Sequence, residues 1–243
     1  MASTREWFET IAEAQRRAKK RLPPSVYNAL VAGSEQGITL ADNISAFSEL
    51  GLIPRIGMGP QTRDQSTTVL GHRIPLPVII SPTGVQAVYP DAEVAVARAA
   101  RSVRTIMGLS SFASMPIEAV VDANPLTFFQ IYWAGSRERM TQILDRGRAA
   151  GAKALIATLD WSFDERRDWE SPPIPERLDL RTMIKFAPQG ITHPRWLLDF
   201  VRHGGLPTLA VPNFALPGEQ PPTFFEAYAK WAQTPPPTWS DVA

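Results

Sequence analysis

The chain reads as an α/β protein built from parallel βα units, and three observations carry that reading. Four apolar runs, PVIISPTG (77–84), TIMGLSS (105–111), TFFQIYW (127–133) and ALIATLD (154–160), start 22 to 28 residues apart. The stretches between the last three have the apolar spacing of helices, so successive strands point the same way. Each run ends on a small or polar residue, and the ends of parallel strands are the natural floor of a site. Four such units are half of a closed barrel.

The 243 residues suffice for one large domain or two small ones, with 44% hydrophobic and 20% charged residues, as in an ordinary globular protein. A net charge of +1 gives no field for nucleic acid. The absence of cysteine excludes disulfides and thiolate metal sites and fits a reducing cytoplasm. No apolar run has the length of a membrane span, and the N-terminus lacks a signal-peptide core. Of the 23 prolines, 13 follow Trp169, which predicts mostly loop with short helices there.

Residues 1–74 read as an N-terminal helical cap with a small hairpin. An amphipathic helix spans Ser3 to Arg21, with Ser3 or Thr4 as N-cap and Trp7, Phe8, Ile11 and Ala14 on one face. Pro23 and Pro24 open a second helix that Gly33 terminates, and DNISAFSEL (42–50) forms a third. STTVLGHRI folds as two short strands around Gly71.

Residues 75–169 hold the four units. Helices are expected over DAEVAVARAARSV (91–103), over PIEAVVDA with Pro116 in its first turn, and from Ser136 to just before Gly151. Residues 170–243 form a proline-rich extended loop carrying a helix at TFFEAYAKWA (223–232).

The order and spacing of LPPSVYNAL, AFSELGLIPR, STTVLG, SPTG, ARAA, TIMGLSSFAS, FFQIY and TLD followed by Arg166–Arg167 extend this reading. From Leu22 to Arg167 the chain resembles the FMN-dependent α-hydroxy acid dehydrogenase and oxidase family. These are (β/α)8 TIM-barrel flavoenzymes that include glycolate oxidase and L-lactate dehydrogenase. The resemblance implies that FMN is the cofactor, with Pro82, Thr83, Gly84, Ser110, Gln130 and Thr158 against the flavin. It further implies that Tyr132 contacts the substrate oxygen and Arg167 binds its carboxylate. Asp160 would orient a catalytic histidine, and Phe112 would stand where the family has a pocket tryptophan.

Residue chemistry agrees in part. A flavin needs donors at its polar rim and a backbone without a Cβ beside it, which Gln130, Ser110 and Gly84 can supply. Singly, Gln130 and Thr158 read as satisfied core polar groups, Asp160 as a helix cap, Tyr132 as a half-buried barrel residue and Arg167 as surface charge. Their joint position at strand ends favours the site.

Three departures bear on substrate. Ala29 stands where the family has a carboxylate-binding tyrosine, Phe112 replaces the tryptophan, and Tyr89 replaces a histidine. Losing a buried donor disfavours a small 2-hydroxy acid. ALVAGSEQGITL and the segment from Thr158 to Met183 look most like the branch that acts in mycofactocin biosynthesis. That likeness implies oxidative deamination of a peptide-derived aminolactam, with hydride passing to flavin N5; L-lactate or another 2-hydroxy acid is the alternative substrate. The electron acceptor is not named by the residues, and the resemblance implies a homo-oligomer when full length.

The family's catalytic histidine lies in a His-Gly-Gly-Arg motif. Here His203-Gly204-Gly205 is followed by Leu206, and it reads as a helix C-terminus instead. A reading of another class is therefore a truncated, catalytically incompetent fragment.

Overall fold

The computed structural model describes residues 9–54, 56–57, 59, 62–84, 91–159, 180–202 and 210–242. In chain order the elements begin with helices α1 (Ile11–Arg21), α2 (Pro24–Val31) and α3 (Ile38–Ser45), then strands β1 (Thr67–Val69) and β2 (His72–Ile74). Next come α4 (Ala92–Ser102), β3 (Met107–Ser110), α5 (Ile117–Ala123), β4 (Thr127–Tyr132), α6 (Arg137–Ala149) and β5 (Ala154–Thr158). Helices α7 (Leu180–Ile191), α8 (Pro194–Arg202), α9 (Phe224–Ala232) and α10 (Trp239–Val242) follow. The chain divides into two compact units, residues 1–54 with 165–205 and residues 55–164 with 206–243. No described helix is long and apolar enough to cross a membrane.

In the first unit, Thr10 is extended (φ −138°, ψ 155°) and its hydroxyl accepts the Glu13 N–H at 3.2 Å, so Thr10 caps α1. Ser3, Thr4, Trp7 and Phe8 lie outside the described residues. Helix α2 opens on Pro24, whose missing N–H would have had no helical partner. Helix α3 begins at Ile38, ahead of the expected Asp42, because Gly37 takes a left-handed conformation (φ 73°) that turns the chain there. Helix α7 carries Pro188 in its interior. It is tied to α2 by the Ser25 N–H on Gln189 Oε1 (3.0 Å), and α8 to α1 by Arg21–Asp199 (3.0 Å).

The second unit contains the predicted hairpin, with Leu70 and Gly71 both at positive φ (47° and 81°) in a tight turn between β1 and β2. Strands β3, β4 and β5 form a parallel sheet in that order, each pair joined by one of the predicted helices. The first expected strand is reduced to a single bridge. Ile80 N–H donates to Ile106 O (3.0 Å) and Ile80 O accepts Gly108 N–H (2.8 Å), a parallel pairing beside β3. Pro75, Pro77 and Pro82 lack N–H groups, so this segment cannot extend the ladder. Its place as the parallel neighbour of β3 is the expected one.

One sheet face packs on the helices. Met107, Leu109, Phe129 and Ile131 join Ala97 and Ala100 of α4, Ile117 and Val120 of α5, and Met140 and Ile143 of α6 in one buried cluster. On the opposite face, Ile74 of the hairpin closes the N-terminal end of the strands with Ile106 and Phe128. Residues 210–242 add to the helix side. Arg146 donates to the carbonyls of Pro212 (2.7 Å) and Ala215 (2.8 Å) while pairing with Glu118 (2.8 Å). Arg139 donates to Phe214 O (2.9 Å) and pairs with Glu219.

Candidate functional site

Alternation along the strands assigns the site to the face away from the helices. Gly108 and Ser110, Phe128 and Gln130, and Ile156 and Thr158 share that face by register, with Ser110 opposite Gln130 and Tyr132 opposite Thr158. Its far end, at the strand C-termini, is polar and uncharged among the described residues. Gln130 is buried and spans two strands: its amide donates to Thr158 Oγ1 at 2.5 Å, and its carbonyl accepts the Ser111 N–H at 3.3 Å. Ser110 Oγ accepts the Phe112 N–H at 3.1 Å, and Ser111 Oγ accepts the Tyr132 N–H at 3.3 Å. Ser110, Gln130 and Thr158 thus stand together at the strand ends.

This network leaves donor capacity facing the site. The second N–H of the Gln130 amide and the hydroxyl proton of Thr158 find no acceptor among the described residues. The Gln130 amide is buried, and a buried donor is normally satisfied. A neutral ring system bearing carbonyls fits this donor set, whereas a cation does not. The floor carries no cationic group among the described residues, so it suits the ring of a flavin rather than its phosphate.

The remaining candidates are placed unevenly. Pro82 lies against Gly108, where an added Cβ would come within 2.7 Å of Pro82 Cδ. Thr83 is exposed, and Gly84 sits against Phe112: a Cβ there would be 3.0 Å from the Phe112 Cβ. Phe112 is buried at the strand ends, edge-on to Tyr132 (5.4 Å) and Phe214 (4.8 Å). Tyr132 is half-buried with Trp231 on its other side (5.3 Å). Asp160, Arg166, Arg167, Tyr89 and His203 lie outside the described residues.

Three residues that the sequence reading passed over take part. Ser111 links β3 to both Gln130 and Tyr132. Glu93 of α4 is fully buried, with its carboxylate on the loop after β3, and Asn213 is buried against the start of α5. For Glu93 a signal existed: it lies on the same helical stripe as Ala97 and Ala100, all of them buried.

The sequence matches the family described as FMN-dependent dehydrogenase over residues 18–243. The chain belongs to the FMN-dependent dehydrogenase family. Within it, pre-mycofactocin synthase of Mycobacterium tuberculosis (strain CDC 1551 / Oshkosh) is 57% identical over 236 residues, 97% of this chain and 60% of that protein. Pre-mycofactocin synthase of Mycolicibacterium smegmatis (strain ATCC 700084 / mc(2)155) is 56% identical over 98% of this chain and 59% of its own length. The chain therefore spans about 60% of the length of these relatives. Among solved structures, the monotopic membrane protein (S)-mandelate dehydrogenase superposes with a TM-score of 0.72 at 28% identity, covering 84% of this chain and 54% of that one. The parallel sheet is thus part of the barrel of an FMN-dependent dehydrogenase, and the family's cofactor is the one the uncharged floor suits.

Proposed function

We propose that these residues form the flavin floor and part of the substrate pocket of an enzyme oxidising a C–H bond next to an amine. The preferred reaction is oxidative deamination of a peptide-derived aminolactam, as a pre-mycofactocin synthase. FMN, when bound, accepts the hydride. Ser110, Gln130 and Thr158 hold the ring through neutral hydrogen bonds, with the backbone at Pro82, Thr83 and Gly84 beside it. Tyr132 orients the substrate heteroatom, Phe112 shapes the pocket, Arg167 binds a polar end of the substrate, and Asp160 supports the proton-accepting base. The amine nitrogen loses its proton as the C–H loses hydride, and water then replaces the imine nitrogen to release ammonia. Catalysis is proposed to take place in the cytoplasm.

The observation that carries this reading is the Ser111–Gln130–Thr158 network, with two donors left over at the strand ends. Ala29, in place of a carboxylate-binding tyrosine, favours an amide-bearing substrate over a 2-hydroxy acid. The test is anaerobic addition of an aminolactam or of L-lactate to the FMN-loaded chain, following the visible flavin band. Slow bleaching by the aminolactam alone is expected, because the family's histidine base is not found in its motif here. Bleaching by L-lactate alone would transfer the assignment to 2-hydroxy acids, and bleaching by neither would leave a binding fragment without turnover.

A further inference from the structure

Glu93 is a wholly buried carboxylate in the first turn of α4, and the proposed chemistry does not use it. Its two oxygens face different backbone donors of the loop after β3. Oε1 accepts the Ser114 N–H at 3.0 Å, and Oε2 accepts the Met115 N–H at 3.1 Å. The Ser114 hydroxyl lies 3.1 and 2.9 Å from the same two atoms. A group that meets N–H donors on both sides must be acceptor-only, which a carboxylate is and an amide is not. Asn213 completes the clamp: Oδ1 accepts the Ile117 N–H at 2.9 Å, and Nδ2 donates to Met115 O at 3.1 Å. Residue 116 is proline, so every backbone N–H from 114 to 117 is held by these two side chains.

The clamped loop is continuous with the floor. Ser111 N–H meets Gln130, Ser111 Oγ meets the Tyr132 N–H, and Phe112 packs on Tyr132 and Gly84. We propose that Glu93 is a positioning residue: its carboxylate fixes residues 111–115 and thereby the placement of Ser110, Ser111 and Phe112 against the flavin. The claim rests on the flavin-floor reading for its functional consequence, and on geometry alone for the clamp.

Glu93→Gln tests it, because it keeps the packing and turns one acceptor into a donor facing an N–H. Ser114→Ala serves as a milder second variant should E93Q fold poorly, and Ile74→Ala as a core control in the separate cluster at the N-terminal end of the strands. Backbone deuterium uptake and FMN affinity are measured on the same 243-residue proteins, well below their melting temperatures. Expected for E93Q are faster uptake confined to peptides covering 110–117 and 130–134, and FMN binding weakened by about tenfold or more. I74A should show neither effect. Uptake that rises evenly over the unit, or FMN affinity within about twofold of wild type, would overturn the proposal. If the wild-type chain takes up no FMN, the flavin-floor reading fails for this chain and the functional half of the proposal with it; the local uptake pattern then decides the clamp.

Discussion

Gln130 on β4 and Thr158 on β5 are joined side chain to side chain at 2.5 Å, across the end of the parallel sheet where the flavin ring is proposed to lie. The bond matters because the other end of the same amide receives the Ser111 N–H. One neutral side chain thus ties three strand ends into a single floor.

Replacing Gln130 by Leu removes both contacts and leaves the buried Ser111 N–H without its acceptor. The expected cost is about 1–3 kcal/mol of stability, read from urea unfolding. Thr158→Val, which removes the other partner of the amide, should cost less because Thr158 is only half-buried.

Gly108→Ala probes the join between residues 80–84 and β3. The new Cβ would fall 2.7 Å from Pro82 Cδ and 3.3 Å from Ile80 O, and Pro82 is too rigid to yield. Overpacking of this kind should destabilise by about 1–3 kcal/mol, and the Gly108 amide should exchange faster as its bond to Ile80 lengthens. Unchanged exchange at Gly108 would mean that the segment accommodates the methyl group.

Arg146 ties the C-terminal segment to α5 and α6 through Glu118 and two carbonyls, and its side chain is only 13% exposed. Arg146→Met keeps much of the stem but strips the Pro212 and Ala215 carbonyls of their donor. A loss of about 1–3 kcal/mol is expected by thermal or urea unfolding, together with easier proteolysis within 210–220.

Glu219 gives a pH signature. Its hydrogen bond from Arg139, aided by the Leu216 N–H, lowers its carboxyl pKa from 4.5 to about 2. The native state therefore holds this group ionised more readily than the unfolded chain does. The resulting contribution is complete above pH 4.5 and is lost as pH falls through about 2. In Glu219→Gln, the melting temperature should depend less on pH across that window than in wild type. Parallel curves would show that the pair contributes nothing to stability.

Much of this was legible in sequence because the βα units state themselves locally. The Ser136 cap of α6, Gly151 beyond its end and Gly71 in the hairpin turn are short-range signals, and each appears where its residue type requires. Ser110, Gln130 and Thr158 were legible as a set because the family resemblance pointed to each of them and all three stand at strand ends. Long-range polar partnerships were not. Asn213 reaches Ile117 across 96 positions, and no periodicity marks it. Glu93 resembled a solvated first-turn acid, although its stripe with Ala97 and Ala100 pointed inward. Prolines near residues 75–82 weakened a strand that hydropathy alone would draw at full length.

The most direct test of the flavin floor is a titration of FMN by its fluorescence quenching, comparing the wild-type chain with Gln130→Leu and the remote Arg146→Met. Saturable binding by wild type and R146M, weakened about tenfold or more in Q130L, is the expected result. Equal affinity in wild type and Q130L, or no saturable binding by any of the three, would contradict it.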